Sequence, residues 1–399
     1  MKYNIFNPII SWVIKKRIHR VNQFIKEPIK SQDKLLKNLI KKSKNTIWGK
    51  KYHYEKINDY NDFKQLVPIQ SYDDIRVHID LIKNGKKNVL WPGKVLSFAK
   101  SSGTTNTRSK FIPITKDSLN NCHLKAGQDL LSIYVNQFPE TKIFSGKNLM
   151  IGGSNELEKN SKIITGDLSS ILIDNLPSWT QLIRTPKKEI ALMSNWEKKI
   201  EKMISEIIKK DVRSISGVPS WTILLLEKIL QKTKKNHIKE IWPNLELYMH
   251  GGISMDPYIN SFEKLIGKKI NYLEIYNASE GFFAIQNNIQ KKDLLLMLDY
   301  GVFYEFIPLD KGEEISKIIP LKKVKKHQNY AIVISTNGGL WRYKIGDTIK
   351  FTSLNPYKII ITGRTKLFIN CFGEEVMIHN TDLAIKNAAK KTNSIVNDY

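Results

Sequence analysis

Three polar stretches, each closing an apolar run, hold residue types that could handle a phosphorylated ligand. The first is Ser101-Ser102-Gly103-Thr104-Thr105-Asn106-Thr107-Arg108-Ser109-Lys110, between the strand-like Leu96–Ala99 and Phe111–Ile114. Its hydroxyls and exposed amides could wrap the oxygens of a triphosphate, and Arg108 and Lys110 would offset charge as pyrophosphate leaves. It is not a Walker loop, which needs Gly-x-x-x-x-Gly-Lys-Ser/Thr opening a helix, whereas this stretch has one Gly and runs into a strand. A plain polar hairpin loop would look the same.

The second stretch is Tyr276-Asn277-Ala278-Ser279-Glu280-Gly281 after the run Tyr272 to Ile275, preceded by His250-Gly251-Gly252 after Leu245 to Met249. Glu280 could hold Mg²⁺, a hard cation that takes one or two carboxylates plus substrate phosphates. Gly251 and Gly252 would let a flat base or sugar approach the backbone. Taken alone, Glu280 equally suits a surface or helix-capping role. The third stretch is Leu340-Trp341-Arg342-Tyr343-Lys344-Ile345-Gly346-Asp347, followed by Ile361-Thr362-Gly363-Arg364. An Asp in a tight turn after Gly can accept both ribose hydroxyls, since a carboxylate has two acceptor oxygens. Arg364 could brace the same sugar or a phosphate. In chain order, phosphate donors, a metal carboxylate and a ribose clamp follow one another.

Helical and extended patterns interleave around these stretches, which predicts an α/β fold. Apolar residues three and four apart predict helices over Asp33–Lys44, Lys116–Val135, Asn195–Lys210, Ser220–Thr233 and Pro257–Ile266. Short runs rich in Ile, Leu, Val and Tyr predict strands over Val95–Ala99, Phe111–Ile114, Leu245–His250, Asn271–Tyr276, Leu294–Phe306, Tyr330–Thr336 and Lys358–Thr362. Ile14, Ile18, Val21 and Ile25 predict an amphipathic helix near the N-terminus, with docking on the chain's own core expected and surface membrane contact the alternative.

Composition narrows the partners. The 399 residues carry a net charge of +26, which first suggests nucleic acid. Yet 56 of the 64 basic residues are Lys and only 8 are Arg, the residue that reads guanine edges. Ile, at 56, and Asn, at 33, are inflated as well. All three share AT-rich codons, so an AT-rich genome accounts for the Lys excess and no nucleic-acid partner is expected. Cys122 and Cys371 form no disulfide framework and no metal spacing. A cytoplasmic protein without stable membrane association is expected.

Taken together, Ser-Ser-Gly-Thr-Thr at 101–105, Tyr-Asn-Ala-Ser-Glu at 276–280 and Tyr-Lys-Ile-Gly-Asp at 343–347 resemble the three nucleotide motifs of the adenylate-forming superfamily. They are most similar to those of its Gretchen Hagen branch, the auxin-responsive family of acyl-acid amido synthetases, which has bacterial members. Ser216-Gly217-Val218-Pro219-Ser220-Trp221, Met249-His250-Gly251-Gly252 and Tyr304-Glu305-Phe306-Ile307-Pro308 extend the resemblance. It implies that a carboxylic acid attacks Mg·ATP to give acyl-adenylate and pyrophosphate, and that an amine, typically of an amino acid, then takes the acyl group. On that resemblance, Ser101, Ser102, Gly103, Thr104, Thr105 and Lys110 would hold phosphate. Gly251, Gly252, Tyr276, Asn277 and Ser279 would line the adenine side, Asp347 and Arg364 would hold the ribose, and Glu280 would bind Mg²⁺. The superfamily usually has Gly where Asn106 stands, and Asn tolerates a left-handed backbone.

The resemblance also implies a large N-terminal domain over 1–364 and a hinge with the beginning of a small C-terminal lid over 365–399. The expectation is therefore a C-terminally truncated bacterial member, as a fragment, a decaying gene product or a lidless protein. No residue takes the role of the lid lysine, and amide transfer would be impaired. Two other readings stay open, a non-catalytic nucleotide-binding remnant and a basic RNA-binding protein. Acid, amine and oligomeric state are not legible.

Overall fold

The computed structural model describes residues 6–101, 109–157, 163–309, 314–365, 368–371, 374–392, 394 and 396. Its centre is a twelve-stranded sheet with two unlike arms. One arm is parallel. Strands Arg184–Thr185, Lys147–Met150, Val212–Gly217, Leu247–Gly251 and Asn271–Ala278 lie side by side in that order. Parallel neighbours need crossovers, and helices Trp196–Ile207, Pro219–Thr233 and Ile259–Ile266 supply them.

Alternation divides this arm's side chains between two cores. Leu247, Met249 and Leu273 turn toward the cluster that includes helix Leu124–Gln137. Leu149, Ile215 and Tyr248 turn the other way, onto Ile204, Ile207, Leu226, Ile229 and Phe262 of the crossover helices. Tyr248 and Phe262 stack with ring centroids 4.7 Å apart.

The other arm is antiparallel. From Asn271–Ala278 the order runs Gly281–Ile285, Leu294–Leu296, Tyr357–Arg364, Tyr343–Leu354, Asn329–Thr336, Val302–Pro308 and Ile319–Pro320. Helix Pro28–Ser43 is stapled to it by buried Gln32, whose Nε2 donates to Leu298 O at 2.9 Å and Val302 O at 3.0 Å and whose Oε1 accepts from Tyr304 N at 2.9 Å. A second sheet of four strands includes the hairpin Ser97–Ser101 with Lys110–Ile114.

Most expected elements are present, with three corrections. The run Leu294–Phe306 forms two strands, because Gly301 takes φ +71° between them. The helix expected over Lys116–Val135 contains a π turn at Leu119–His123, which tucks Cys122 and His123 inside. The N-terminal helix is two, Phe6–Lys15 and Ile18–Lys26. No described helix is long and apolar enough to cross a membrane.

Candidate active site

Strand Asn271–Ala278 is where the sheet changes character, parallel to one neighbour and antiparallel to the next. In open α/β sheets ligands bind outside the carboxyl ends of the parallel strands, and this is the last strand of the parallel arm. At its end, Ser279 and Glu280 make a two-residue turn into Gly281–Ile285, with Ala278 opposite Gly281. The polar loop expected over Tyr276–Gly281 is thus only two residues long, and Tyr276 and Asn277 belong to the strand.

Tyr276 is buried and donates to Asp347 Oδ2 at 2.6 Å. Asp347 Oδ1 accepts from Arg364 Nε at 2.7 Å. Asp347 was expected in a tight turn; it stands instead on strand Tyr343–Leu354, directly opposite Arg364 on Tyr357–Arg364. Gly346 does take φ +89°, but as a kink where its carbonyl accepts from Thr365 N at 2.8 Å. Cross-strand neighbours hold their side chains about 5 Å apart, which a local turn would not do for residues this far separated in sequence.

Glu280 is half-buried beside this pair. Burial, reinforced by the charge of Asp347, raises its carboxyl above the usual range, while Lys110 and Arg364 pull it partly back. Those couplings place Lys110, at the base of the first hairpin, within electrostatic reach of Glu280. Ser102, Gly103, Thr104 and Thr105 lie outside the described residues, as do Asn106 and Arg108; for Ser101 only the strand backbone, paired with Lys110, is described.

Gly251 is already in use by the fold, since a Cβ there would lie 2.5 Å from Ile275 O and 3.2 Å from Asn277 Oδ1. Gly252 takes φ +88°, a conformation that favours glycine. The two glycines therefore bring the end of Leu247–Gly251 against Asn277. Ser279 sits in the adjoining turn.

Two groups in this region had no role assigned from sequence, His250, quoted only as part of a motif, and Glu274. His250 stands in register with Glu274, two residues before Tyr276 on the same face of its strand. Burial holds the His250 ring near a pKa of about 4, and burial with the charge of Asp256 lifts Glu274 to about 7. Asp256 accepts from Lys292 at 2.7 Å and from Lys386 of helix Ile378–Thr392 at 3.1 Å. Only tertiary burial distinguishes these carboxylates from surface ones, so no sequence signal marks them.

Among the described residues no three His, Cys, Asp or Glu side chains cluster as metal ligands. Glu280 alone fits a cation held mainly by substrate phosphates. A separate cleft of about 680 Å³, lined by Leu36, Lys37, Lys41, Tyr54 and Lys322 among others, shares no residue with this cluster.

Comparison with known proteins decides the family. The model of the GH3 family N-terminal domain matches residues 17–270, and that of the GH3 family central domain matches 295–364. This chain belongs to the GH3 family. Its members include the indole-3-acetic acid-amido synthetase GH3.4 of Arabidopsis thaliana, 23% identical over 96% of this chain and 75% of that protein. The jasmonoyl-L-amino acid synthetase JAR6 of Nicotiana attenuata is 22% identical over 94% and 76%. Among solved structures, the GH3.15 acyl acid amido synthetase in complex with 2,4-DB superposes with TM-score 0.77 at 18% identity, covering 92% of this chain and 74% of that one. A 2-hydroxyisobutyryl-CoA ligase in complex with 2-HIB-AMP and CoA gives 0.56 at 13% identity, over 86% and 76%. The fold of this GH3 chain is thus that of the adenylate-forming ligases, as the motifs implied.

Proposed function

We propose that this GH3 chain activates a carboxylic acid with ATP as acyl-adenylate and passes the acyl group to an amino acid or other amine. The observation that carries the reading is the meeting of Tyr276, Asp347, Arg364 and Glu280 at one strand end, from motifs far apart in the chain.

Asp347 would hold the ribose hydroxyls. Tyr276 and Arg364 fix the carboxylate from either side, and a preset acceptor spends little ordering entropy on binding. Asn277, Gly251, Gly252 and Ser279 would line the adenine, and Lys110 with Ser101, Ser102, Gly103, Thr104 and Thr105 the phosphates. Glu280 would carry Mg²⁺, which when bound neutralises charge on the phosphates. Burial raises the Glu280 carboxyl above the usual range, and Lys110 and Arg364 offset part of that rise. The acid's oxygen attacks the α-phosphorus, the bond to the bridging oxygen breaks, and pyrophosphate leaves with the electron pair. The amine then attacks the acyl carbon and AMP departs, so positioning and charge stabilisation do most of the work.

Residues 1–364 form the adenylating domain in this reading, and 365–399 begin the lid. The end of the central-domain match at 364 supports that division. No nucleic-acid partner is part of it. The test is carboxylate-dependent exchange of labelled pyrophosphate into ATP across a panel of acids. Exchange that Asp347→Ala abolishes is expected; ATP binding without exchange for any acid would leave a nucleotide-binding remnant instead.

A further inference from the structure

The first helix has two apolar faces, and the fold uses one. In Phe6–Lys15, Ile14 is buried and Ile10 packs beside it on the core that includes helix Leu124–Gln137. Asn7 fixes this docking, donating to Thr141 O at 3.2 Å and accepting from Phe144 N at 3.1 Å. Ile9, Trp12 and Val13 point outward, 55%, 61% and 52% exposed. Their spacing of three and four residues makes one stripe. Exposed Lys16, in the turn after the helix, and Arg20, on the second helix, follow in sequence, and Lys16 Nζ lies 3.2 Å from the centroid of the Trp12 ring.

Charge on this stripe is one-sided. The first 26 residues hold six Lys and Arg and no Asp or Glu. Arg17 turns inward to Asp129 at 2.7 Å, whereas Lys15, Lys16 and Arg20 form no ion pair among the described residues. An apolar stripe with Trp, edged by cations that form no ion pair among the described residues, suits a helix lying in a lipid interface.

We propose that this face docks reversibly on an anionic lipid surface. Ile9, Trp12 and Val13 enter the headgroup boundary, and Lys15, Lys16 and Arg20 meet lipid anions. A second copy of the chain fits less well, because a symmetric pair would bring the same cations together. Single-stranded nucleic acid fits less well too, because the stripe offers one ring where stacking platforms need several. One short helix gives weak, salt-sensitive binding that leaves the chain free to exchange.

The test mixes the full chain with phosphatidylcholine vesicles, with and without phosphatidylserine, and reads co-sedimentation and tryptophan emission. Binding to the phosphatidylserine vesicles with a blue shift is expected, lost near 0.5 M salt, where the Debye length is below about 5 Å. Trp12→Gln combined with Val13→Gln should weaken it about tenfold or more with an unchanged melting curve, since both side chains are exposed. Lys16→Glu with Arg20→Glu should remove the preference for anionic lipid. Binding to neither vesicle, equal binding to both, a glutamine variant that binds like the parent, or a dimer that this variant dissolves would each overturn the proposal.

Discussion

Tyr60, Glu305 and Arg342 form one cluster on the antiparallel arm and Tyr276, Asp347 and Arg364 another, each a tyrosine and an arginine closing on a carboxylate. In the first, Arg342 Nε and Nη2 reach both Glu305 oxygens at 2.9 Å, and Nη1 donates to Lys64 O at 3.0 Å and Val67 O at 2.7 Å. Tyr60 donates to Glu305 Oε1 at 2.9 Å. The arginine and glutamate side chains are 4% and 1% exposed, so the pair is saturated and pins residues 60–67 to the sheet. In the second, Arg364 makes one contact to Asp347, through Nε, and is 41% exposed. The first carboxylate is closed in by a fully buried guanidinium, whereas the second, itself 11% exposed, is held by an arginine that stays partly in solvent.

The sharpest way to break this contrast is to remove one partner from each cluster. Arg342→Met leaves Glu305 as an uncompensated buried charge and should cost about 3–5 kcal/mol in urea unfolding. Asp347→Asn should cost no more than about 1 kcal/mol, because Arg364 is solvated. It should nevertheless weaken ATP binding in calorimetry by roughly 10- to 100-fold, the worth of a charge-assisted hydrogen bond. Equal destabilisation by the two substitutions would erase the distinction.

Acid sharpens the comparison, since the titrating groups surround the clusters rather than compose them. Burial holds His123 and His250 at about 4, so both stay neutral in the fold and protonate near 6.5 once unfolded. Their contribution is complete above about pH 6.5 and drains as pH falls toward 4, by up to ~1.4 kcal/mol per pH unit each. Glu274, raised to about 7, works in the opposite sense. The folded chain takes up its proton first, so stability rises from this group as pH falls through 7 toward the unfolded value near 4.3. Urea midpoints at pH 7 and 5 should show a net loss, larger in Glu274→Gln and smaller in His123→Phe. The smallest effect belongs to Tyr276→Phe, which removes one hydrogen bond from Asp347. It should cost about 1 kcal/mol in ATP binding, a fall of roughly fivefold in calorimetry.

How far these clusters were legible depended on whether their cause was local. The hairpin that closes at Ser101 and Lys110 could be read directly, since two short apolar runs flank a polar loop. Asp347 was misplaced because Gly inside an extended pattern reads as a turn, and only pairing with Tyr357–Arg364 shows the strand continuing through Gly346. The Glu305–Arg342 pair was invisible, although both residues stood inside quoted motifs, because 37 residues separate them and nothing local links a carboxylate to its guanidinium.

The sequence by itself determined the α/β class, the three motifs and the family, because each rests on residue types in a fixed order along the chain. Tertiary structure decided which charges are closed into buried pairs and which stay partly solvated. It set the pKa values of His123, His250 and Glu274, and it left Ile9, Trp12 and Val13 uncovered. Desolvation and pairing depend on what the rest of the chain brings alongside a residue, and that is a property of the fold, not of neighbours in sequence.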